Sequence, residues 1–498
     1  MRRSQAAARI RGMWSLQGRH GVLHATWFAF FLSFVVWFNF APFASTIGDQ
    51  LGLDATQLTT IALCNVALTV PARVLIGMAL DRWGPRRVYA AILVYAFVPC
   101  TLFALATSFE LLVAARLALS VVGAGFVVGI RLVAEWFPPR EIGAAEGVYG
   151  GWGNFGSAAA AFTLPGVAAA VGGADGWRWA IGVTGVMALA YGLAFLRLVS
   201  DTPDGRSYAR PRRQGALEVT SRAGVAGLIV LSAPLLGILA VLAWRLVLVD
   251  FLSAASAWVI GGVLAVLFVL QARGIAAVNR PALRGAYPPE DQYPFRSVAI
   301  LCAAYFVTFG SELAVVSMLP TFFADTFALS PVVAGMTASA YAFMNLVSRP
   351  AGGLFSDLLG SRRRTLLGLL IGLCAGYLLM AVIGASWPVA LAVLAAMLCS
   401  FFVQAGEGAV YAIVPLVKHR VGGQIAGLVG AYGNVGSVCY LTLLLFAGPA
   451  VFFAAIGASA LIAAVACRWL PEPAHSFADE HVGDVAVVAE PVAVAPAV

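Results

Sequence analysis

Two arginines stand where charge is expensive. Arg73 and Arg349 each lie inside an apolar run, eight residues before an aspartate, Asp81 or Asp357, that opens a basic loop. At 1.5 Å of helical rise per residue, each guanidinium sits ~12 Å from its loop, near the middle of a bilayer. A charge at that depth costs several kcal/mol unless it is paired or hydrated. No acid stands one helical turn away on the same segment. Two such groups could hold an anion between them. Arginine presents two parallel donors to a planar oxyanion and keeps its charge at any working pH, whereas lysine offers only a point charge. The competing reading is a static ion pair with a buried acid of another segment, such as Glu146, Glu312 or Glu407.

The neighbours of the arginines follow a pattern. Asn65, Thr69, Arg73, Gly77 and Asp81 recur every four residues, as do Tyr341, Asn345, Arg349, Gly353 and Asp357. Residues at that spacing share one helix face. A polar stripe on an apolar helix faces a water-filled path or a bundle interior. A second pair of segments reads Gly150-Gly-Trp-Gly153-Asn154-Phe-Gly156-Ser and Gly430-Ala-Tyr-Gly433-Asn434-Val-Gly436-Ser. Its glycines let backbones approach closely, and its asparagine amides can donate to an anion without adding charge. Helix packing alone could also use such glycines. The arginine stripes are related by a shift of 276 residues and the Gly-Asn segments by 280, so the chain contains an internal repeat.

The elements that must carry these residues follow from composition. Of 498 residues, 61% are apolar and 11% are charged, with a mean hydropathy of +0.90. A soluble chain is roughly 25% charged, so a cytosolic, secreted or disordered protein is excluded and an all-α membrane protein is expected. Six apolar spans lie near 22–46, 57–80, 88–107, 111–136, 142–170 and 178–198. Six more lie near 297–322, 331–356, 365–385, 388–416, 423–446 and 449–468. Two extra runs, 224–246 and 250–272, bring the expected total to about fourteen. The chain divides into a basic N-terminus (1–21), a six-helix bundle (22–200), a central linker with the extra pair (201–296), a second six-helix bundle (297–470) and an acidic tail (471–498) expected to be disordered.

The net charge of +8 comes from basic loops that alternate with loops almost free of basic residues. This reads as membrane orientation with both termini cytoplasmic, not as nucleic-acid binding. The seven cysteines form no C-x-x-C pair and the five histidines no cluster. Neither a metal nor a cofactor is expected. No nucleophile–base set or phosphate loop appears, so the chain is not read as an enzyme. Paired six-helix halves with a site between them are a transporter architecture.

The Gly77-x-x-x-Asp81-Arg82-x-Gly-x-x-Arg87 run, with its copy at 353–363, resembles the loop motif of the major facilitator superfamily. The resemblance implies that fold and a conformational gate at Gly77, Asp81, Arg82, Arg87 and Asp357. The arginine pair plus the two Gly-Asn segments resembles the nitrate/nitrite porter branch of that superfamily. Trp27–Phe43 and Phe309–Pro320 are similar to the first and seventh helices of bacterial nitrate permeases, in a subgroup with extra central helices. The resemblance covers about residues 14–470. It implies a monomeric inner-membrane transporter that takes nitrate or nitrite from one side of the lipid bilayer to the other, for nitrate assimilation. In it Arg73 and Arg349 clamp the anion and Asn154 donates to it. Tyr305 and Phe309 line the pocket, and Asn434 is the symmetric counterpart of Asn154. Without an anion, the two arginines are expected to repel and hold the halves apart. Symport and antiport both occur in the family; Glu312 and Glu407 are the candidate proton carriers, with a static role as the alternative. Another small monoanion, such as a carboxylate, is the second substrate reading, and a non-transporting sensor the third.

Overall fold

The computed structural model describes residues 15–213, 215–444 and 446–479, and these form helices joined by turns. Arg2, Arg3, Arg9 and Arg11 of the basic N-terminus, and 480–498 of the tail, lie outside the described residues. The first half contains α1 (Gly18–Phe38), α2 (Ala55–Ala67), α3 (Thr69–Trp83), α4 (Pro85–Ala104), α5 (Phe109–Ser120), α6 (Gly125–Trp136), α7 (Ile142–Val171) and α8 (Gly176–Leu198). The insert is α9 (Arg222–Leu248) and α10 (Ala254–Val278). The second half contains α11 (Phe295–Val307), α12 (Phe309–Phe327), α13 (Pro331–Phe343), α14 (Asn345–Leu358), α15 (Arg362–Ala381), α16 (Val389–Tyr411), α17 (Gly422–Leu444) and α18 (Pro449–Cys467). Shorter helices fill some connections.

Local sequence fixes several starts. Asp54 and Gln57 form a capping box at α2, and the hydroxyls of Ser108, Ser221, Ser253 and Ser361 accept from first-turn amides of α5, α9, α10 and α15. Each such cap satisfies a backbone donor that the helix itself cannot.

Among the described residues, thirteen helical stretches are long and apolar enough to cross a membrane, both insert helices included. The chain is a multi-pass membrane protein. The expected span at 331–356 is two consecutive helices, α13 and α14, joined through the single turn residue Met344, whose backbone stays right-handed helical. The matching segment of the first half breaks the same way, at Leu68 between α2 and α3. Arg73 and Arg349 each stand five residues past such a break. Two further helices are interrupted, α5/α6 by a 3-10 turn at Val121–Ala124 and α11/α12 at Thr308. Irregular backbone at membrane depth is tolerated where protein or a cavity surrounds it.

Packing repeats the sequence symmetry. Within the halves, α4 runs along α8 and α15 along α18; across them, α3 runs along α17 and α14 along α7. The insert is not peripheral. Its helix α9 packs on α2 of the first half and on α11 and α17 of the second, while α10 packs chiefly on α9 and turns Trp258, Val259 and Val266 outward.

The acidic tail departs from expectation at its start. Glu472 accepts from the backbone N–H groups of Arg362 and Arg363 and from the Ser361 hydroxyl. The Arg362 guanidinium donates to the Ser476 carbonyl at 3.1 Å and lies 5.2 Å from the Phe477 ring centroid. Glu472, Ser476 and Phe477 therefore hold the tail to the start of α15, where the helix presents free amides to a carboxylate, while Ala478 and Asp479 meet Arg140.

Candidate anion site between the halves

The two arginines meet at one aromatic ring. The guanidinium carbon of Arg73 lies 5.4 Å from the centroid of Phe126, and that of Arg349 lies 5.1 Å from it. Both side chains are fully buried, at 0% and 1% exposure. Phe126 belongs to α6, just after the 3-10 turn. Tyr305 lies parallel to Phe126 with centroids 6.2 Å apart, and Phe309 parallel to Tyr305 at 5.2 Å. Arg73 also covers the Phe309 ring, at 5.0 Å. Tyr411 closes the group edge-on to Phe126 and Tyr305, at 4.8 and 4.9 Å.

The two charges are compensated differently. Arg349 forms an ion pair with Glu407 of α16 and donates to the Tyr305 hydroxyl at 3.3 Å. Arg73 donates to the Gly430 carbonyl at 2.6 Å and to the Gly123 carbonyl, through Nε and Nη2, at 3.4 and 3.3 Å. No carboxylate pairs with Arg73 among the described residues. In place of two equal, repelling cations stand one neutralised arginine and one held by carbonyls and aromatic faces, and the two lie close together.

The Gly-Asn segments divide their work. Gly150 of α7 faces the side chain of Arg349, and Gly430 of α17 faces Arg73, whose Cδ a Cβ there would meet at 3.3 Å. The first glycine of each segment therefore admits the arginine of the opposite half. Gly151 likewise faces the opposite half, against Asn345 and Pro350 of α14, while Gly153 and Gly156 lie against Phe30, Phe31 and Phe34 of α1, and Gly433 and Gly436 against Tyr305, Phe306 and Phe309 of their own halves.

Asn154 and Asn434 are both buried with no hydrogen-bond partner for either amide atom. Asn154 lines a cavity of about 20 Å³ with Phe309 and Glu312, room for about one water. Glu312 accepts from the Asn345 amide, and from Gln404 at 3.3 Å. It lies beside Glu407, and neither the Oε2 of Glu312 nor the Oε1 of Glu407 accepts a hydrogen bond. Glu146 is buried on α7 with both carboxyl oxygens unpartnered. Two further buried arginines do not pair with these acids: Arg131 is held by Glu135 at 2.7 Å and Arg116 by Asn39 at 3.0 Å.

The Asp residues of the two loops each cap a helix of the opposite half. Asp81 accepts from the Gln424 amide of α17 at 3.0 Å, and Asp357 from Gly143 and Ala144 at the start of α7, at 3.1 and 2.7 Å. Gly77 packs against the Gly423 backbone. Arg82 and Arg87 do not join this contact. Arg82 lies on the Trp83 ring at 5.4 Å and Arg87 is exposed. The cations at the caps are Arg131, 3.5 Å from Asp81, and Arg362, 2.9 Å from Asp357. Arg362 belongs to the second copy of the loop motif, five residues after Asp357, whereas Arg131 comes from α6, outside either copy. On the opposite face a cavity of about 570 Å³ descends between the halves. It shares Phe38, Leu313 and Val316 with the small void at Asn154, and so leads toward the arginines.

Phe126 and Tyr411 were not singled out from sequence. A lone aromatic residue in an apolar helix reads as core; the Gly123–Gly125 pair preceding Phe126 is the one available signal.

The Major Facilitator Superfamily model matches residues 26–288 and 301–494. The nitrate/nitrite transporter NrtP of Picosynechococcus sp. is 51% identical over 523 residues, covering 96% of this chain and 98% of its own. The NrtP of Nostoc punctiforme is 47% identical, with the same coverages. The high-affinity nitrate transporter 2.3 of Oryza sativa subsp. japonica is 30% identical over 83% of this chain and 70% of its own. Among solved structures, the human organic anion transporter MFSD10 superposes with a TM-score of 0.62 at 14% identity, covering 91% of this chain and 100% of its own, and shares the fold. With its sequence repeat, broken helices and cross-capped halves, the chain belongs to the major facilitator superfamily, in its nitrate/nitrite porter branch.

Proposed function

We propose that this chain carries nitrate, with nitrite as a second substrate, across the cell's inner membrane by rocking of its halves. It works as a monomer with both termini in the cytoplasm. The relatives' names support the substrate. The observation that carries the reading is Arg73, a fully buried guanidinium without a carboxylate partner among the described residues, set against Arg349 and three parallel aromatic rings. A planar monoanion supplies the missing charge and accepts both prongs of the fork. Arg349, already neutralised by Glu407, adds donors with little further net charge, which favours a monoanion over a dianion. Centroids 6.2 Å apart leave less than the ~7 Å that an ion stacked between two ring faces occupies. Loading therefore parts Phe126 from Tyr305, and these rings come from opposite halves.

The test is Arg73→Lys in proteoliposomes. Replacing a fork by a point charge removes a charged hydrogen bond of about 1.5 kcal/mol or more, so nitrate affinity falls about tenfold or more. Wild-type affinity and rate in this variant would overturn the assignment. Competition by nitrite, chlorate and formate separates nitrate from a carboxylate cargo: formate as the strongest competitor would favour the carboxylate.

A further inference from the structure

The cavity that leads to the arginines opens on a face whose loops are acidic. Asp49, Asp54, Glu110, Asp175, Asp250 and Asp325 all lie at helix ends away from the Asp81/Asp357 face. One basic side chain of those turns, Arg178, is paired with Asp175 at 2.9 Å. An anion that approaches from this side meets like charge, and the cavity itself must reverse the potential. Two cations line it. Arg116 of α5 is 1% exposed, with Nε unpartnered and no carboxylate paired to it among the described residues. It donates to the Asn39 side chain and the Trp37 carbonyl, where α1 ends. Arg245 reaches the cavity wall from α9, half-buried. Against them stands one lining carboxylate, Asp325, which is exposed.

We propose that Arg116 and Arg245 form an outer anion station, at which a small monovalent oxyanion is held before it reaches Arg73, and that the insert exists in part to supply it. The placement of α9 is what makes this possible. It packs against both halves at their seam, and so brings a guanidinium of the insert to the path between them. A concave, low-dielectric wall focuses the field of two cations more than an open surface would. The cavity floor passes through Phe38, Leu313 and Val316 to the void at Asn154, so an anion released from the station has a lined route inward. The proposal rests on the anion-carrier reading above and names the entry step of that same path.

Because Arg116 also holds Trp37 and Asn39, its replacement endangers the fold, and the test rests on Arg245. Arg245→Gln and Arg245→Glu are expressed in cells without other nitrate uptake, and initial rates are followed against external nitrate at low and high ionic strength. The expected result is a rise in KM of roughly three- to tenfold for Arg245→Gln, larger for Arg245→Glu, with Vmax changed less than about twofold. The KM of the wild type rises with salt, and that of Arg245→Gln rises less. Arg245→Lys keeps the charge and retains the wild-type KM. An unchanged KM and salt response in Arg245→Glu would overturn the station. Arg73→Lys run alongside separates the two readings. If it transports as wild type, the inner site is wrong whatever Arg245 does; if it fails while Arg245→Glu is unaffected, only the outer station falls.

Discussion

At the scale of residues, Glu407 is a candidate proton carrier in the proposed transport cycle. It neutralises Arg349 and lies beside Glu312, and each of the two carboxyl groups keeps one oxygen without a hydrogen bond. In the proposed cycle a bound anion competes with Glu407 for Arg349. Glu407→Gln should therefore abolish uphill nitrate uptake driven by a proton gradient, while exchange of labelled for unlabelled nitrate across the same vesicles persists. Equal loss of both activities would make Glu407 a static counter-ion, and retention of both would remove it from the mechanism. The sequence offered three buried acids for two arginines and no way to match them, because pairing depends on how α14 and α16 pack. The arginines themselves were legible, since a charge in an apolar run has few explanations.

At the scale of elements, the halves meet through backbone. A Cβ on Gly77 would stand 2.6 Å from the Gly423 carbonyl oxygen, and one on Gly147 would stand 2.7 Å from the Arg349 carbonyl oxygen. Neither neighbour is a flexible side chain that could move aside. Gly77→Ala or Gly147→Ala should oppose this packing by about 1–3 kcal/mol. The protein still inserts, since each half keeps its own core, but nitrate uptake drops by about tenfold or more at equal protein level. Alanine in place of Gly166 of α7, which has open space around it, is the control and leaves uptake unchanged. Gly77 was visible in the sequence, because it belongs to a motif present twice; Gly147 was not singled out, and its contact with the Arg349 backbone emerges only from the packing of α7 on α14. The helix breaks at Leu68 and Met344 were not visible. Neither position is itself a proline or glycine, but Pro71 lacks the N–H that would bond the Ala67 carbonyl, and Pro350 stands six residues past Met344. The resemblance placed Arg82 and Arg87 in the gate with Asp81, whereas the cation beside Asp81 is Arg131, which arrives from α6 through the fold.

At the scale of the molecule, one face is closed and the other holds the large cavity. The closed face rests on two reciprocal caps. Asp81 of the first half holds α17, and Asp357 of the second holds α7. A carboxylate on a helix N-terminus adds about 0.5–2 kcal/mol. Because each cap joins opposite halves, that energy acts on the rocking equilibrium as well as on local order. Asp357→Asn should loosen the whole face by about 1–2 kcal/mol, a five- to thirtyfold shift in population. Hydrogen exchange separates a global opening from a local one. Residues 142–147 lose their own cap in this variant and exchange faster in either case. The informative segment is 422–427, whose cap, Asp81, is untouched. If the halves part as bodies, exchange there also accelerates five- to thirtyfold, and Asp81→Asn produces the mirror effect at 142–147. Acceleration confined to the segment that lost its cap would mean that each aspartate orders only its own helix start. In that case the glycine contacts would hold the face closed without them.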